Sequence, residues 1–140
     1  MPTRQAHARW EGNLKEGKGN IAFGGYQGTY SFASRFEDGA GTNPEELLGA
    51  AHAGCFSMAL SLMLDQAGHK PESVETTARV TIAPQPGGGF AITKSHLVCQ
   101  AKVPGLDAAG FAKLAEAAKA GCPVSRALGG LEITLDAKLI

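Results

Sequence analysis

The chain carries no net charge. Thirteen Lys and Arg balance 13 Asp and Glu, and no block of like charges interrupts the mixture. Such a chain is not built for nucleic acid or for an anionic membrane surface, and neither is expected as a partner. The N-terminal residues Met1 to Arg9 lack the apolar run of a signal-peptide core. Repeats and low-complexity tracts are absent. Cysteine is scarce, with three in 140 residues. The expected location is the cytoplasm, where three cysteines do not make a structural disulfide framework and a disulfide would be transient and catalytic. The longest hydrophobic zone, Leu47 to Leu64, is broken by His52, Ser57, Ser61 and several Gly and Ala. It reads as a buried helix rather than a membrane span.

What is present suits one domain, 1–140, with a real core: 44% of residues are hydrophobic. The first third is glycine-rich, and Ala6–Glu11, Gly19–Phe23 and Thr29–Phe32 read as a strand meander. Asn43 is placed to cap a helix, with Pro44 at its first position and Glu46 completing a capping box. That helix should run to about Ala67, stop at Gly68, span about 35 Å and be buried on several sides. Val74, Thr76, Ala78, Val80 and Ile82 alternate along a strand, and Phe90–Ala101 returns from it as a long hairpin. Asp107 caps a second helix with apolar positions Phe111, Leu114, Ala115 and Ala118, ending at Gly121. A short helix follows Pro123, and Leu131–Leu139 alternates as a half-buried strand. The expected fold class is α+β, in the order βββ-α-ββ-α-α-β.

Two cysteines sit in contrasting settings. Cys55 lies within the apolar stretch Gly49-Ala-Ala-His-Ala-Gly-Cys-Phe-Ser-Met-Ala-Leu60; Cys122 lies at a helix break, Ala120-Gly-Cys-Pro-Val-Ser125. Their placement suggests a sheltered reactive thiol and a mobile partner able to capture it. The plainer reading of Cys55 is a small core hydrophobe, and a buried thiol resists ionisation. A reactive Cys55 therefore needs a cation. Arg35 is the candidate, although it also reads as a surface charge. Glu45 could orient that arginine through a bidentate fork, or simply stabilise the first helical turn. Cys122 precedes a proline at a helix start, where amides favour a thiolate; it equally reads as a small capping residue. Cys99 is expected to be structural. His52 shares roughly one helix face with Cys55 and could act as a base or as half of a metal site with Cys122. A metal would need further ligands, and His7, His69 and His96 do not cluster. No metal or cofactor is expected.

Taken together, these segments resemble the OsmC/Ohr family, and its OsmC branch in particular. The resemblance covers nearly the whole chain. It is carried by Arg9-Trp-Glu-Gly12, Gly17-Lys-Gly19, the stretch Thr42 to Leu60, Gly89-Phe-Ala-Ile-Thr-Lys94, Lys119-Ala-Gly-Cys-Pro-Val-Ser125 and Glu132-Ile-Thr-Leu-Asp136. His52 stands where the Ohr branch usually has an aromatic residue, and Val124 where Ohr tends to have tyrosine. The resemblance implies a thiol-dependent peroxidase acting on organic hydroperoxides and less well on hydrogen peroxide, in defence against oxidative and osmotic stress. It implies that Cys55 is the peroxidatic cysteine, Cys122 the resolving one, Arg35 the catalytic arginine and Glu45 the motif glutamate. It further implies an intertwined homodimer with long central helices, and an external dithiol reductant, of lipoyl type by the likeness to the Ohr branch. A non-catalytic redox sensor or binding protein could use the same fold.

Helix geometry adds one expectation about that dimer. Glu45 and Cys55, ten residues apart on one helix, are separated by about 15 Å along its axis. At least one of Arg35 and Glu45 is therefore expected to act on Cys55 of the other copy. The apolar residues Leu48, Phe56, Met58 and Leu60 are expected to supply a pocket for an alkyl chain.

Overall fold

The computed structural model describes all 140 residues. It divides into two compact units, Met1–Leu47 and Leu48–Ile140.

The first unit opens with an antiparallel meander of β1 (His7–Glu11), β2 (Lys18–Phe23) and β3 (Tyr26–Tyr30). Gly24 and Gly25 close the β2–β3 turn, with Gly24 at φ +51°, the left-handed backbone that a two-residue hairpin favours. The sequence suggested that the third strand would reach Phe32. Instead it ends at Tyr30, and Ser31 caps a short helix, α1 (Phe32–Phe36). The Ser34 amide donates to Ser31 Oγ at 3.1 Å, and the Ser31 amide donates to Ser34 Oγ at 2.8 Å. This is a capping box in which serine takes the role usually held by Glu or Gln. The Ser34 hydroxyl also donates to the Thr42 carbonyl at 2.7 Å, and Asn43 Nδ2 donates to the Ser34 carbonyl at 3.0 Å. Those two bonds fasten α1 to the entry of the long helix α2 (Pro44–Gln66). Asn43 Oδ1 accepts from the Glu46 amide at 2.8 Å, as a capping residue should. Glu46 answers to the Asn43 side-chain amide at 3.1 Å, not to the backbone N–H of a capping box.

The second unit is a three-stranded sheet in the order β4 (Ser73–Pro84), β5 (Phe90–Lys102), β6 (Glu132–Leu139). β4 and β5 form the expected antiparallel hairpin, and β6 runs parallel to β5. Parallel neighbours require a crossover, supplied by α3 (Ala108–Gly121) and α4 (Pro123–Ala127). Asp107 Oδ1 caps α3 by accepting from the Gly110 amide at 2.7 Å. Leu97, Cys99 and Ala101 of β5 meet Phe56, Leu60 and Leu64 of α2 and Phe111, Ala115 and Ala118 of α3 in one core. Cys99 is fully buried there, and burial pushes its thiol up.

Within this unit α2 is buried along a single stripe, His52, Phe56, Leu60 and Leu64, at four-residue spacing. Its opposite face, Ala51, Gly54, Met58 and Leu62, is open, with Met58 77% and Leu62 56% exposed. The expectation of a helix buried on several sides is thus not met within one chain. By length and composition α2 could cross a membrane, but its buried stripe belongs to the core of the second unit.

Candidate active site

The four candidate residues fall into two pairs. The first lies in the first unit. α1 presents Arg35 in its last turn, and α2 presents Glu45 in its first. Arg35 donates from Nε at 3.1 Å and from Nη2 at 2.8 Å, both to Glu45 Oε1. The expected two-oxygen fork is not formed: Glu45 Oε2 is buried without a hydrogen-bond partner. The carboxylate is almost wholly buried and the guanidinium is one-third exposed, so the acid anchors the base and leaves it facing outward. The Arg35 guanidinium carbon stands 5.3 Å from the Phe36 ring centre. Around it, Trp10, Leu14, Tyr30, Phe32 and Phe36 line an apolar cavity of about 240 Å³. Its walls are held by ring packing, Trp10 against Tyr30 at 5.4 Å and Phe32 against Phe36 at 5.1 Å.

The second pair lies in the second unit. Cys55 on α2 and Cys122 at the α3–α4 junction are free thiols with their sulfurs 2.8 Å apart. Cys55 is partly exposed and Cys122 is wholly buried. Cys122 ends one helix and begins the next. Its amide donates to the Ala118 carbonyl, and Pro123 follows at the first position of α4.

The two sulfurs differ in acidity. Burial opposes a thiolate on Cys122, but the Cys55 thiol, the Ser125 amide and hydroxyl and the Val124 amide all favour the anion. Their sum lowers Cys122 below the usual thiol value, although its sulfur makes no formal capping bond to α4. Cys55 is raised, first by burial and then by its bond to Cys122, with the Val124 amide pulling weakly the other way. Within this unit the surroundings thus ease Cys122 toward the thiolate and hold Cys55 back from it.

His52 is fully buried on the packed stripe of α2. Its Nδ1 is 2.7 Å from Ser95 Oγ on β5, and its Nε2 is 2.7 Å from Ser125 Oγ on α4. Burial lowers its pKa, so the ring is neutral near pH 7. Both ring nitrogens are engaged by hydroxyls.

Arg35, Glu45, Cys55 and Cys122 are thus brought together as two pairs. Leu48, Phe56, Met58 and Leu60 do not form the expected alkyl pocket. Phe56 and Leu60 are sealed in the core and Met58 points outward; the apolar cavity in the first unit lies beside Arg35 instead. Ser95 and Ser125 had not been singled out. Ser95 had left a trace, as a polar residue interrupting the apolar face Leu97, Cys99, Ala101 of β5.

Known proteins are similar to this chain. The chain is 52% identical over 139 residues to a peroxiredoxin OsmC of Escherichia coli, covering 97% of this chain and 96% of that one. It is 35% identical over 99 residues to an organic hydroperoxide resistance protein of Xanthomonas axonopodis, covering 69% and 67%. Its fold is similar to that of the organic hydroperoxide resistance protein OhrB of Bacillus subtilis, with a TM-score of 0.75 and 27% identity, covering 96% and 98%. A family profile described as OsmC-like protein matches residues 37–137, and the chain belongs to that family.

Proposed function

We propose that this chain is a cysteine-based peroxidase that reduces organic hydroperoxides, and hydrogen peroxide less well, at the expense of an external dithiol. The observation that carries the reading is the Cys55–Cys122 pair: two free sulfurs 2.8 Å apart, one reachable and one buried. The reachable sulfur, Cys55, meets the peroxide. Its thiolate attacks the terminal peroxide oxygen, the O–O bond breaks, and the alkoxide leaves as alcohol after taking a proton. Cys55 becomes a sulfenic acid. The Cys122 thiolate then attacks the Cys55 sulfur, the S–O bond breaks, and hydroxide leaves as water. An external dithiol, of lipoyl type by analogy with the family, reopens the Cys55–Cys122 disulfide by exchange. This cycle calls for a reducing cytoplasm.

Arg35 supplies what Cys55 lacks. No cation enters the balance at Cys55 within its own unit. The guanidinium, held from behind by Glu45, offers positive charge to a thiolate and to the departing oxygen. The aromatic cavity beside Arg35 suits the alkyl group of the substrate. We place the working site in a homodimer, with Arg35 or Glu45 of one copy acting on Cys55 of the other. The open apolar face of α2, with Met58 and Leu62, is the surface that a second copy would cover.

Steady-state turnover of an alkyl hydroperoxide with excess dithiol tests the reading. Cys55→Ser is expected to lose at least about 10³-fold in rate, since the remaining sulfur of the pair, Cys122, is wholly buried. Cys122→Ser is expected to consume one equivalent of peroxide and stall. Undiminished turnover in Cys55→Ser would overturn the mechanism. A single oxidation without turnover in the unaltered protein would identify a sensor instead.

A further inference from the structure

His52 has no accessible surface, and each of its ring nitrogens lies 2.7 Å from a hydroxyl on a different element, Ser95 of β5 and Ser125 of α4. Ser95 is equally inaccessible and Ser125 is 5% exposed. The mechanism above makes no use of this tie, although three polar side chains sit in an apolar core at a cost unless each is satisfied. One nitrogen of a neutral ring donates and the other accepts, and a hydroxyl can answer either, so both bonds form in each tautomer. The ring is rigid, and it cannot swing toward one hydroxyl without leaving the other.

The tie stands beside the two sulfurs. His52 and Cys55 are three residues apart on α2, about 4.5 Å along its axis and neighbours on its surface. Cys122 and Ser125 are also three residues apart, within a turn closed by the Arg126 amide, which donates to the Cys122 carbonyl at 3.0 Å. Two contacts therefore cross between the same two segments: His52 to Ser125 at 2.7 Å and Cys55 to Cys122 at 2.8 Å. They run in opposite order along the chain, 52 with 125 and 55 with 122. A slide of α4 along α2 displaces both.

We propose that the His52–Ser125 hydrogen bond, with the ring anchored from behind by Ser95, is a clamp that holds α4 in register on α2 and so keeps Cys122 within reach of Cys55. His52 and Ser125 are positioning residues for disulfide closure, and they act by placing the backbone that carries the two sulfurs. The inference rests on reading Cys122 as the resolving thiol. A Cys55 sulfenic acid has two fates. In one, Cys122 attacks its sulfur, the S–S bond forms, the S–O bond breaks, and hydroxide leaves and takes up a proton as water. In the other, a second hydroperoxide transfers an oxygen atom to that sulfur, giving the sulfinic acid and an alcohol. The first fate depends on where Cys122 stands, and the second does not. The sulfurs change bonding in every cycle, whereas the clamp contains no redox-active atom and holds the register through both states.

The test equilibrates the protein in mixtures of reduced and oxidised dithiothreitol and reads the fraction of Cys55–Cys122 disulfide by mass spectrometry. Ser125→Ala is expected to weaken that disulfide about tenfold, a rise of about 30 mV in its reduction potential. Ser57→Ala is the control and is expected to leave the potential in place. Ser57 stands two residues beyond Cys55 and donates to Thr76 Oγ1 of β4 at 2.8 Å, so its loss removes a hydroxyl bond from α2 without reaching α4. An unshifted potential in folded Ser125→Ala, or an equal shift in Ser57→Ala, overturns the clamp. Should Ser125→Ala not fold, a triple variant with His52→Leu, Ser95→Ala and Ser125→Ala removes the tie and orphans no member of it. The same rise is expected there, and no rise overturns the clamp. In rapid mixing with excess alkyl hydroperoxide, Ser125→Ala is expected to oxidise Cys55 at an unchanged rate. Disulfide closure should slow about tenfold, and the ratio of Cys55 sulfinic acid to disulfide should rise in proportion. Equal slowing of both steps would overturn the clamp. Unaltered protein that closes the disulfide in the dithiothreitol mixtures but not with hydroperoxide would end the peroxidase reading, while the potentials would still decide the clamp.

Discussion

A thiol attacks peroxide as its anion, and the two sulfurs at this site share that requirement unequally. Cys122 is eased toward thiolate by the amides and hydroxyl beside it, whereas Cys55 is held back by burial and by its neighbour. In the proposed mechanism a guanidinium meets that need, and Arg35 is the one that Glu45 anchors through two N–H donors on a single oxygen. Arg35→Lys should therefore slow Cys55 oxidation about 10- to 100-fold in stopped-flow measurements, because an ammonium cannot copy that double contact. A rate equal to that of the unaltered protein would remove Arg35 from the mechanism. His52 makes a separate demand on stability. Its folded pKa lies below the ordinary 6.5, so as pH falls the unfolded chain takes up a proton first. The stability contributed by the neutral ring is present above 6.5 and drains away as pH falls toward the lower folded value. Urea midpoints should fall between about pH 7.5 and about pH 5.5, and by less in His52→Gln. The four proposed site residues could be picked from their flanking sequence, since each sits in a short motif. The partners of His52 could not: they lie 43 and 73 residues away, and only strand register and helix docking bring them to it.

Among the elements, α2 carries most of the burden. Its packed stripe supplies Phe56, Leu60 and Leu64 to the core that seats Cys122. Leu60→Ala should cost about 2–5 kcal/mol by chemical denaturation, as a fully buried leucine leaves a cavity beside α3 and β5. A loss below about 0.5 kcal/mol, the usual size of a surface change, would contradict that packing. The strands, the long hairpin and both helix caps at Asn43 and Asp107 were legible, because alternation and capping chemistry are local. α1 was not. Its capping box has Ser34 where the recognisable signature has Glu or Gln, so Thr29–Phe32 read as strand. Which side of α2 is buried was also hidden. Alanine, glycine and leucine surround the helix and leave no polar face to mark the outside.

For the whole molecule, the proposed second copy would cover the open face of α2, where Met58 and Leu62 are exposed. Leu62→Glu would set a charge on that face and should shift the proposed dimer to monomer in sedimentation velocity. Turnover should fall with it, if each site draws on both chains. A Leu62→Glu protein that sediments unchanged, or a monomer with full activity, would refute the shared site. The central claim concerns the two sulfurs and can be read in one experiment. Fully reduced protein is treated with one equivalent of an alkyl hydroperoxide, without reductant, and its thiols are mapped by mass spectrometry. The account expects rapid loss of two hydrogens and a peptide linking Cys55 to Cys122, with Cys99 untouched. Free thiols at Cys55 and Cys122, or oxidation confined to Cys99, would contradict it.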